Sequence, residues 1–267
     1  MSMEREQVSS MQNPKVKHLQ ELQQKSQERR RSGLFVVEGR REIERAVGHG
    51  YKVDTLFCCT DICGNDWQQI AAGRVVPLAA PIYNKVAYRG GTEGMIAEVV
   101  AREHRLSELR LSERPLVVVL ESVEKPGNLG AVLRSADAVG ADAVVVCDPL
   151  TDLYNPNIIR SSTGAFFSVP TAVCSSDECI AWLKGNGIQI LTAQLQDSHL
   201  YYDTDMRGPT ALVMGTEACG LTDRWRQAAD AHIRLPMLGC ADSLNVSVSA
   251  AVLMYEALRQ RTVPGAL

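Results

Sequence analysis

Asn128, Gly130 and Arg134 fall together in ESVEKPGNLGAVLRSA, just after an apolar run. Helical residues four apart share a face, so the Arg134 guanidinium would overhang Gly130, a position with no side chain. A ligand could approach the backbone there. The plainer alternative is a helix capped by Asn128, with a surface arginine paired to Asp137. In ALVMGTEACGL, an apolar strand runs into Gly215, Glu217 and Gly220. Two glycines flanking one carboxylate suit close backbone approach to a ligand; a tight turn with a solvated glutamate would read the same way. The third stretch, HIRLPMLGCADSLNVSVSAAV, opens a helix with four cap-competent residues: Asp242, Ser243, Asn245 and Ser247. One cap is enough. The surplus implies a second hydrogen-bonding client or a congested chain path, with redundant capping as the alternative.

Such groups need a frame. From residue 115 onward, near-continuous apolar strands such as PLVVVLES, DAVVVCD, IQILTA and TALVMG alternate with helices. Strands apolar on both faces predict a mostly parallel sheet covered on either side, so the fold class is α/β. Ligands of such sheets gather at the carboxyl ends of the strands, where all three stretches fall. The last helix carries an apolar stripe of Leu244, Val248, Ala251, Val252, Tyr255 and Leu258. Residues 1–102 read as a separate small α/β domain, opening with a basic helix that ends at Gly33. Residues 103–114 read as a linker and 115–267 as the second domain.

Bulk composition excludes several classes. The net charge of the 267 residues is −3, so any nucleic-acid signal must be local. No apolar run reaches the roughly 18–20 residues of a membrane span. The polar start MSMEREQVSSMQ lacks a secretory apolar core, so a cytoplasmic location is expected. The eight cysteines form no C-x-x-C pair, and no histidine stands near them at ligand spacing. Free thiols and no metal are expected. The dinucleotide fingerprint G-x-G-x-x-G is missing, which disfavours an NAD-type oxidoreductase.

Together the three stretches resemble the SpoU (TrmH-type) branch of the SPOUT RNA methyltransferases. The motifs are N-x-G-x-x-x-R at Asn128 to Arg134, G-T-E-x-x-G at Gly215 to Gly220, and L-P-M followed by S-L-N-V-S at Leu235 to Met237 and Ser243 to Ser247. The resemblance covers about 115–262, and NPKVKHLQELQQKS with GLFVVEGRREIERA resembles the family's substrate-binding domain. It implies a C-terminal deep trefoil knot, which periodicity would never suggest. It implies S-adenosyl-L-methionine as cofactor, held largely by backbone at Gly215, Gly220, Leu235, Met237 and Leu244, with Thr192 and Ala193 in the adenosine pocket.

The implied reaction is methyl transfer to a ribose 2′-hydroxyl of RNA. Arg134 would act as general base or stabilise the developing alkoxide; a guanidinium pKa of about 12.5 or more makes the first role awkward. Asn128 would orient Arg134 or the ribose, Glu217 would fix its loop or an arginine, and Ser243, Asn245 and Ser247 would order the substrate side. The resemblance also implies a homodimer, with Arg134 supplied by the partner and the last helix in the interface. Lys15, Lys17, Arg29, Arg30, Arg31, Arg40 and Arg41 offer phosphate contacts, although glutamates interleave with them. Arg160 is a further phosphate candidate. Ribosomal RNA is favoured over tRNA because the N-terminal domain is present. A catalytically silent RNA-binding protein is the alternative from another class.

Overall fold

The computed structural model describes residues 7–88, 93–216 and 219–262. Two compact units emerge: Met1–Glu103 with Asp152–Phe167, and His104–Thr151 with Ser168–Leu267.

In the first unit, α1 (Pro14–Gln24) begins at Asn13, whose side chain accepts the Lys15 amide at 2.9 Å. It buries Val16, Leu19 and Leu22 completely. The single helix expected as far as Gly33 is broken at extended Lys25 and restarts as α2 (Ser26–Ser32). The run QQKSQERRRS offers no apolar residue to hold one straight helix against a core, and packing rather than propensity stabilises most helices. Gly33, at φ 66°, closes α2 and turns the chain into β1 (Leu34–Glu38). Then come α3 (Arg40–Gly48), β2 (Val53–Cys58), α4 (Thr60–Cys63), β3 (Ala72–Pro77), α5 (Ala80–Val86) and β4 (Met95–Val100). The sheet order is β1-β4-β2-β3, with β4 antiparallel to both neighbours and β2 parallel to β3.

The second unit is a seven-stranded sheet of order β7-β6-β5-β10-β8-β11-β9, parallel in every pairing. Its elements are β5 (Leu116–Glu121), α6 (Pro126–Val139) and β6 (Ala143–Cys147), then, after an excursion holding α7 (Pro156–Ser161) and most of α8 (Ala165–Ser168), β7 (Thr171–Cys174). Next are α9 (Ser176–Gly185), β8 (Gln189–Ala193), β9 (His199–Leu200), β10 (Thr210–Met214), α10 (Asp223–Ala228), β11 (Ala231–Arg234) and α11 (Val246–Thr262). Strands β5, β6 and β10 are buried along their whole length, as the apolar runs predict. The expected linker is not free chain. Leu106, Leu109 and Leu111 pack against the second core, and the His104 carbonyl accepts the Val173 amide at 2.8 Å.

The excursion 152–167 belongs with the first unit. Asp152 accepts from buried Arg29 Nε at 2.5 Å, and Arg45 donates to the Thr163 carbonyl at 2.5 Å. A contiguous division at residue 103 misses this segment because nothing local in TDLYNPN marks a change of partner.

Helix α11 faces the other way from its most obvious stripe. Its buried side is Val246, Ala250, Leu253, Met254, Glu256, Ala257 and Gln260, while Val248 and Tyr255 are 47% and 52% exposed. Ala250 and Ala257 are fully buried in this helix, which packs on α6. The polar members are satisfied internally: Gln260 accepts the Met206 amide at 2.7 Å and donates to the Thr204 carbonyl at 3.0 Å. Apolar periodicity missed this face because alanine and buried polar residues carry it.

Candidate active site

The loop after β10 is drawn tight at Gly215. A Cβ there would stand 2.2 Å from the carbonyl carbon and oxygen of Gly220 and 2.5 Å from the Leu221 nitrogen. No side chain fits, and the obstacle is backbone. Thr216 and Gly220 pair through two backbone hydrogen bonds of 3.0 and 3.2 Å, Gly220 takes φ 68°, and the Thr216 hydroxyl accepts the Cys219 amide. The loop is a tight turn that needs glycine at both ends, one for close backbone approach and one for its positive φ.

This loop forms one wall of a cavity of about 320 Å³. Residues 193–196 at and after the end of β8, 233–235 and Met237 at and after β11, and 242–244 with Val246, Ser249 and Leu253 form most of the rest, while Asn245 and Pro236 do not line it. Leu195, Met214, Leu221, Ile233 and Leu253 make the lining largely apolar. Among the described residues, two buried polar atoms in it have no hydrogen-bond partner: Gln194 Oε1, an acceptor, and Arg226 Nε, a donor. Leaving such an atom unpaired costs about 1–3 kcal/mol, so each is a place where a ligand can supply the missing partner.

The start of α11 adjoins the cavity. Asn245 Oδ1 accepts the Ser247 amide at 3.0 Å and the Ser247 hydroxyl at 2.6 Å, so Asn245 is the cap and Ser247 its own client. The Asn245 amide donates to Asn128 Oδ1 at 3.2 Å. That bond ties the first and third motifs. Asp242 and Ser243, the remaining cap-competent residues, line the cavity instead. Asn128 does not cap α6: the helix starts at Pro126, one position after Lys125, and Asn128 sits in its first turn. A smaller cleft of about 130 Å³ holds Asn128 and Lys125 and shares Gly215, Thr216 and Val246 with the main cavity.

Arg134 is exposed and, among the described residues, has no hydrogen bond or ion pair. Asp137, its expected partner in the plainer reading, accepts the Ser168 hydroxyl at 2.5 Å. Arg134 does not line the cavity of its own chain. Ala193, Gly215, Gly220, Leu235, Met237 and Leu244 do line it. Thr192 does not: it is fully buried, its hydroxyl 2.6 Å from His232 Nδ1. Side chains alternate along a strand, so Ala193 facing the cavity turns Thr192 away. Glu217 lies outside the described residues.

Sequence reasoning missed Gln194 and Arg226, which no motif marks. It also passed over Glu121, the buried carboxylate ending β5, which accepts the Thr222 amide at 2.9 Å and hydroxyl at 2.7 Å, and the Ser176 hydroxyl at 3.3 Å. Glu121 thereby anchors the chain leaving the Gly215 loop. A lone acidic residue closing LVVVLE was the available signal.

Among the proposed phosphate ligands, Arg29 is corrected: it is 5% exposed and spent on Asp152 and the Leu22 carbonyl. Arg40 is held by Glu44, Asp66 and Gln69, and Arg31 by Glu28. Arg160 donates to Asn157 at 2.6 Å and lies over the Tyr88 ring. Lys15, Lys17, Arg30 and Arg41 are exposed, with side chains unpaired among the described residues. The cysteines are free thiols, with Cys147, Cys174 and Cys179 brought within 4.8 Å of one another.

The SpoU rRNA methylase family model matches residues 115–255, more than half of the chain. The chain belongs to that family. A second model, the MRM3-like substrate binding domain, matches residues 13–97. One SpoU relative, the 23S rRNA (uridine(2479)-2′-O)-methyltransferase of Streptomyces viridochromogenes, is 32% identical over 93% of this chain and 91% of its own. A solved RNA 2′-O ribose methyltransferase is 40% identical with a TM-score of 0.83, covering 96% of this chain and 99% of its own. The SpoU methyltransferase AviRb from S. viridochromogenes, in complex with the cofactor AdoMet, matches with a TM-score of 0.87 at 30% identity, over 94% of this chain and 99% of its own. No helix of the described residues is long and apolar enough to cross a membrane.

Proposed function

We propose that the chain transfers a methyl group from S-adenosylmethionine to a ribose 2′-hydroxyl of ribosomal RNA, acting in the cytoplasm as a homodimer. The cavity built from the second and third motif loops and the chain after β8, with the first motif tied to it through Asn128 and Asn245, carries the reading, because the family that shares these motifs performs this chemistry. Its volume and largely apolar lining suit an adenosine. Gln194 Oε1 and Arg226 Nε supply one acceptor and one donor that are unmatched among the described residues. Backbone closure at Gly215 suits a ligand held by main-chain groups. The strand order, with β10 between β5 and β8, and the convergence of the three loops support a knotted path for the C-terminal segment.

When bound, the cofactor supplies an electrophilic methyl group on a sulfonium. The chain's own residues do the positioning. Leu195, Met214, Leu221 and Leu253 exclude water from the cavity. The Asn245–Asn128 bond fixes the start of α6, and with it the helix that carries Arg134. The free Arg134 guanidinium offers five donors in a planar fork to the developing alkoxide and the adjoining phosphate. Ser243 and Asp242 order the substrate side of the cavity.

Two observations support the dimer. Arg134 does not line its own chain's cavity. The loop before α11 and the outer face of α11 expose Leu238, Leu244, Val248 and Tyr255, which are 98%, 39%, 47% and 52% accessible. A second copy covering this face would bring its own Arg134 to the cavity.

Calorimetry with S-adenosylmethionine, followed by tritiated methyl transfer to bulk rRNA and tRNA, tests the proposal. Binding with transfer to rRNA is expected. Transfer to tRNA alone would reassign the substrate, and neither binding nor transfer would leave a silent RNA-binding protein.

A further inference from the structure

We propose that a second cavity, inside the first unit, receives one unstacked nucleobase of RNA and selects guanine. The inference rests on the reading of this chain as an RNA-acting protein. The cavity measures about 290 Å³, at the small end of ligand pockets, and suits a single ring system. Its chemistry comes from Glu38, Glu42, Tyr88, Glu93, Asn157 and Arg160.

Two of these make a flat platform. The Arg160 guanidinium lies 4.2 Å from the Tyr88 ring centroid and is steadied by its bond to Asn157 Oδ1. Tyr88 is 58% exposed, which leaves the ring accessible to an incoming base. Aromatic rings and guanidinium planes are the surfaces on which unpaired RNA bases stack.

Glu38, Glu42 and Glu93 are carboxylates, and they decide what is recognised. Glu38 Oε2 accepts the Tyr88 amide at 2.9 Å, and Glu93 Oε2 accepts the Arg40 and Arg41 amides at 2.7 and 3.3 Å. Glu42 is half-buried and has no hydrogen bond or ion pair among the described residues. Its Oε2 closes on Gly39, 2.8 Å from where a Cβ would stand, and Glu93 Oε2 lies 3.9 Å from the same point. Gly39, at φ 98°, has no side chain to keep the Glu42 carboxylate from that position. Among the described lining residues three carboxylates stand against one guanidinium, a balance that disfavours a phosphate and makes Arg160 a stacking group here.

A neutral occupant must then offer donors. Ionised carboxylates only accept. Among the four bases, guanine alone presents adjacent N–H donors, N1–H and the N2 amino group, that one carboxylate can accept together. The neutral Watson–Crick edges of adenine, cytosine and uracil each place an acceptor beside the donor. Glu42, the uncommitted carboxylate, is the reader of that edge.

The test uses the full chain without S-adenosylmethionine and labelled uridine hexamers carrying one central guanosine, inosine or adenosine. Fluorescence anisotropy should rank guanosine first. Inosine, lacking the N2 amino group, should bind about tenfold more weakly, as expected for one lost charge-assisted hydrogen bond. Glu42→Gln should erase the guanosine preference while leaving the melting temperature unchanged. Tyr88→Ala should weaken all three hexamers alike. Equal affinity for the three wild-type complexes, or discrimination that survives in Glu42→Gln, would overturn the proposal. A guanosine preference without methyl transfer to any RNA would sustain this pocket and defeat the catalytic reading; transfer without the preference would do the reverse.

Discussion

At the scale of single residues, two positions carry the sharpest consequences. Arg134→Ala should bind S-adenosylmethionine as tightly as the parent, since Arg134 does not line that cavity, and should lose methyl transfer. An electrostatic role is expected to cost about 100-fold or more. Arg134→Lys keeps the charge without the planar fork and should retain at least ten times the activity of Arg134→Ala in the same tritium assay. Equal loss in both variants would point to proton abstraction or bidentate geometry instead. Gly215→Ala forces a carbon into the Gly220 carbonyl. Overpacking costs typically about 1–3 kcal/mol, so this variant should melt several degrees lower and give no heat of cofactor binding. Exposed Cys219 lines the same cavity, so a bulky maleimide on it should block cofactor binding, and saturating S-adenosylmethionine should slow its labelling. Unchanged labelling would place the cofactor elsewhere. Motif glycines and asparagines could be read from sequence because their spacing is local. Gln194 and Arg226 could not, because their role arises only when distant loops enclose them.

Among the elements, α11 shows most clearly what periodicity can and cannot tell. Its sequence advertises Val248, Val252 and Tyr255, yet Ala250, Ala257, Glu256 and Gln260 face inward. An apolar stripe records burial without saying whether the cover is the same chain or another. The strands suffered no such ambiguity, since β5, β6 and β10 are apolar on both faces and had to be central. The inward carboxylate makes α11 sensitive to acid. Hydrogen bonds from Arg259, at 2.7 and 2.8 Å, hold the Glu256 carboxyl below the usual carboxylate range, and Gln260 adds to the effect. A lowered folded-state pKa means that the unfolded chain takes up the proton first. The stabilisation is therefore complete above the ordinary glutamate pKa and is lost as pH falls through the folded one. Thermal melts of Glu256→Gln and the parent should differ most at neutral pH and converge as the pH falls below the range in which the folded carboxyl takes up its proton. A constant difference across that range would show that the carboxylate's charge does not matter.

For the whole molecule, the exposed Val248 and Tyr255 predict assembly. Val248→Asp with Tyr255→Asp should sediment as a monomer, fold normally and lose methyl transfer, because each cavity would lack the partner's arginine. A fully active monomer would refute the shared site. The first unit depends on a distant stretch of chain in its own way. Arg29 is buried and its carboxylate partner is Asp152. Removing one member of a buried pair costs about 3–5 kcal/mol, so a fragment ending at residue 103 should be far less stable than the same unit within the full chain. The boundary at 103 looked natural in sequence because charge and loss of periodicity mark it. The return of 152–167 is marked by nothing comparable.

The position of β10 also sets a schedule. Its Thr210 pairs with Leu116 on one side and Gln189 on the other, so the middle of the sheet is the part the ribosome delivers near the end. Until then β5 and β8 have no central neighbour, and each exposes an edge rich in valine, leucine and isoleucine. Non-local parallel pairing is slow to form. Refolding from denaturant should accordingly be slow and concentration-limited, and a chain stalled before residue 210 should be a client for chaperones, with aggregation following when they are withheld.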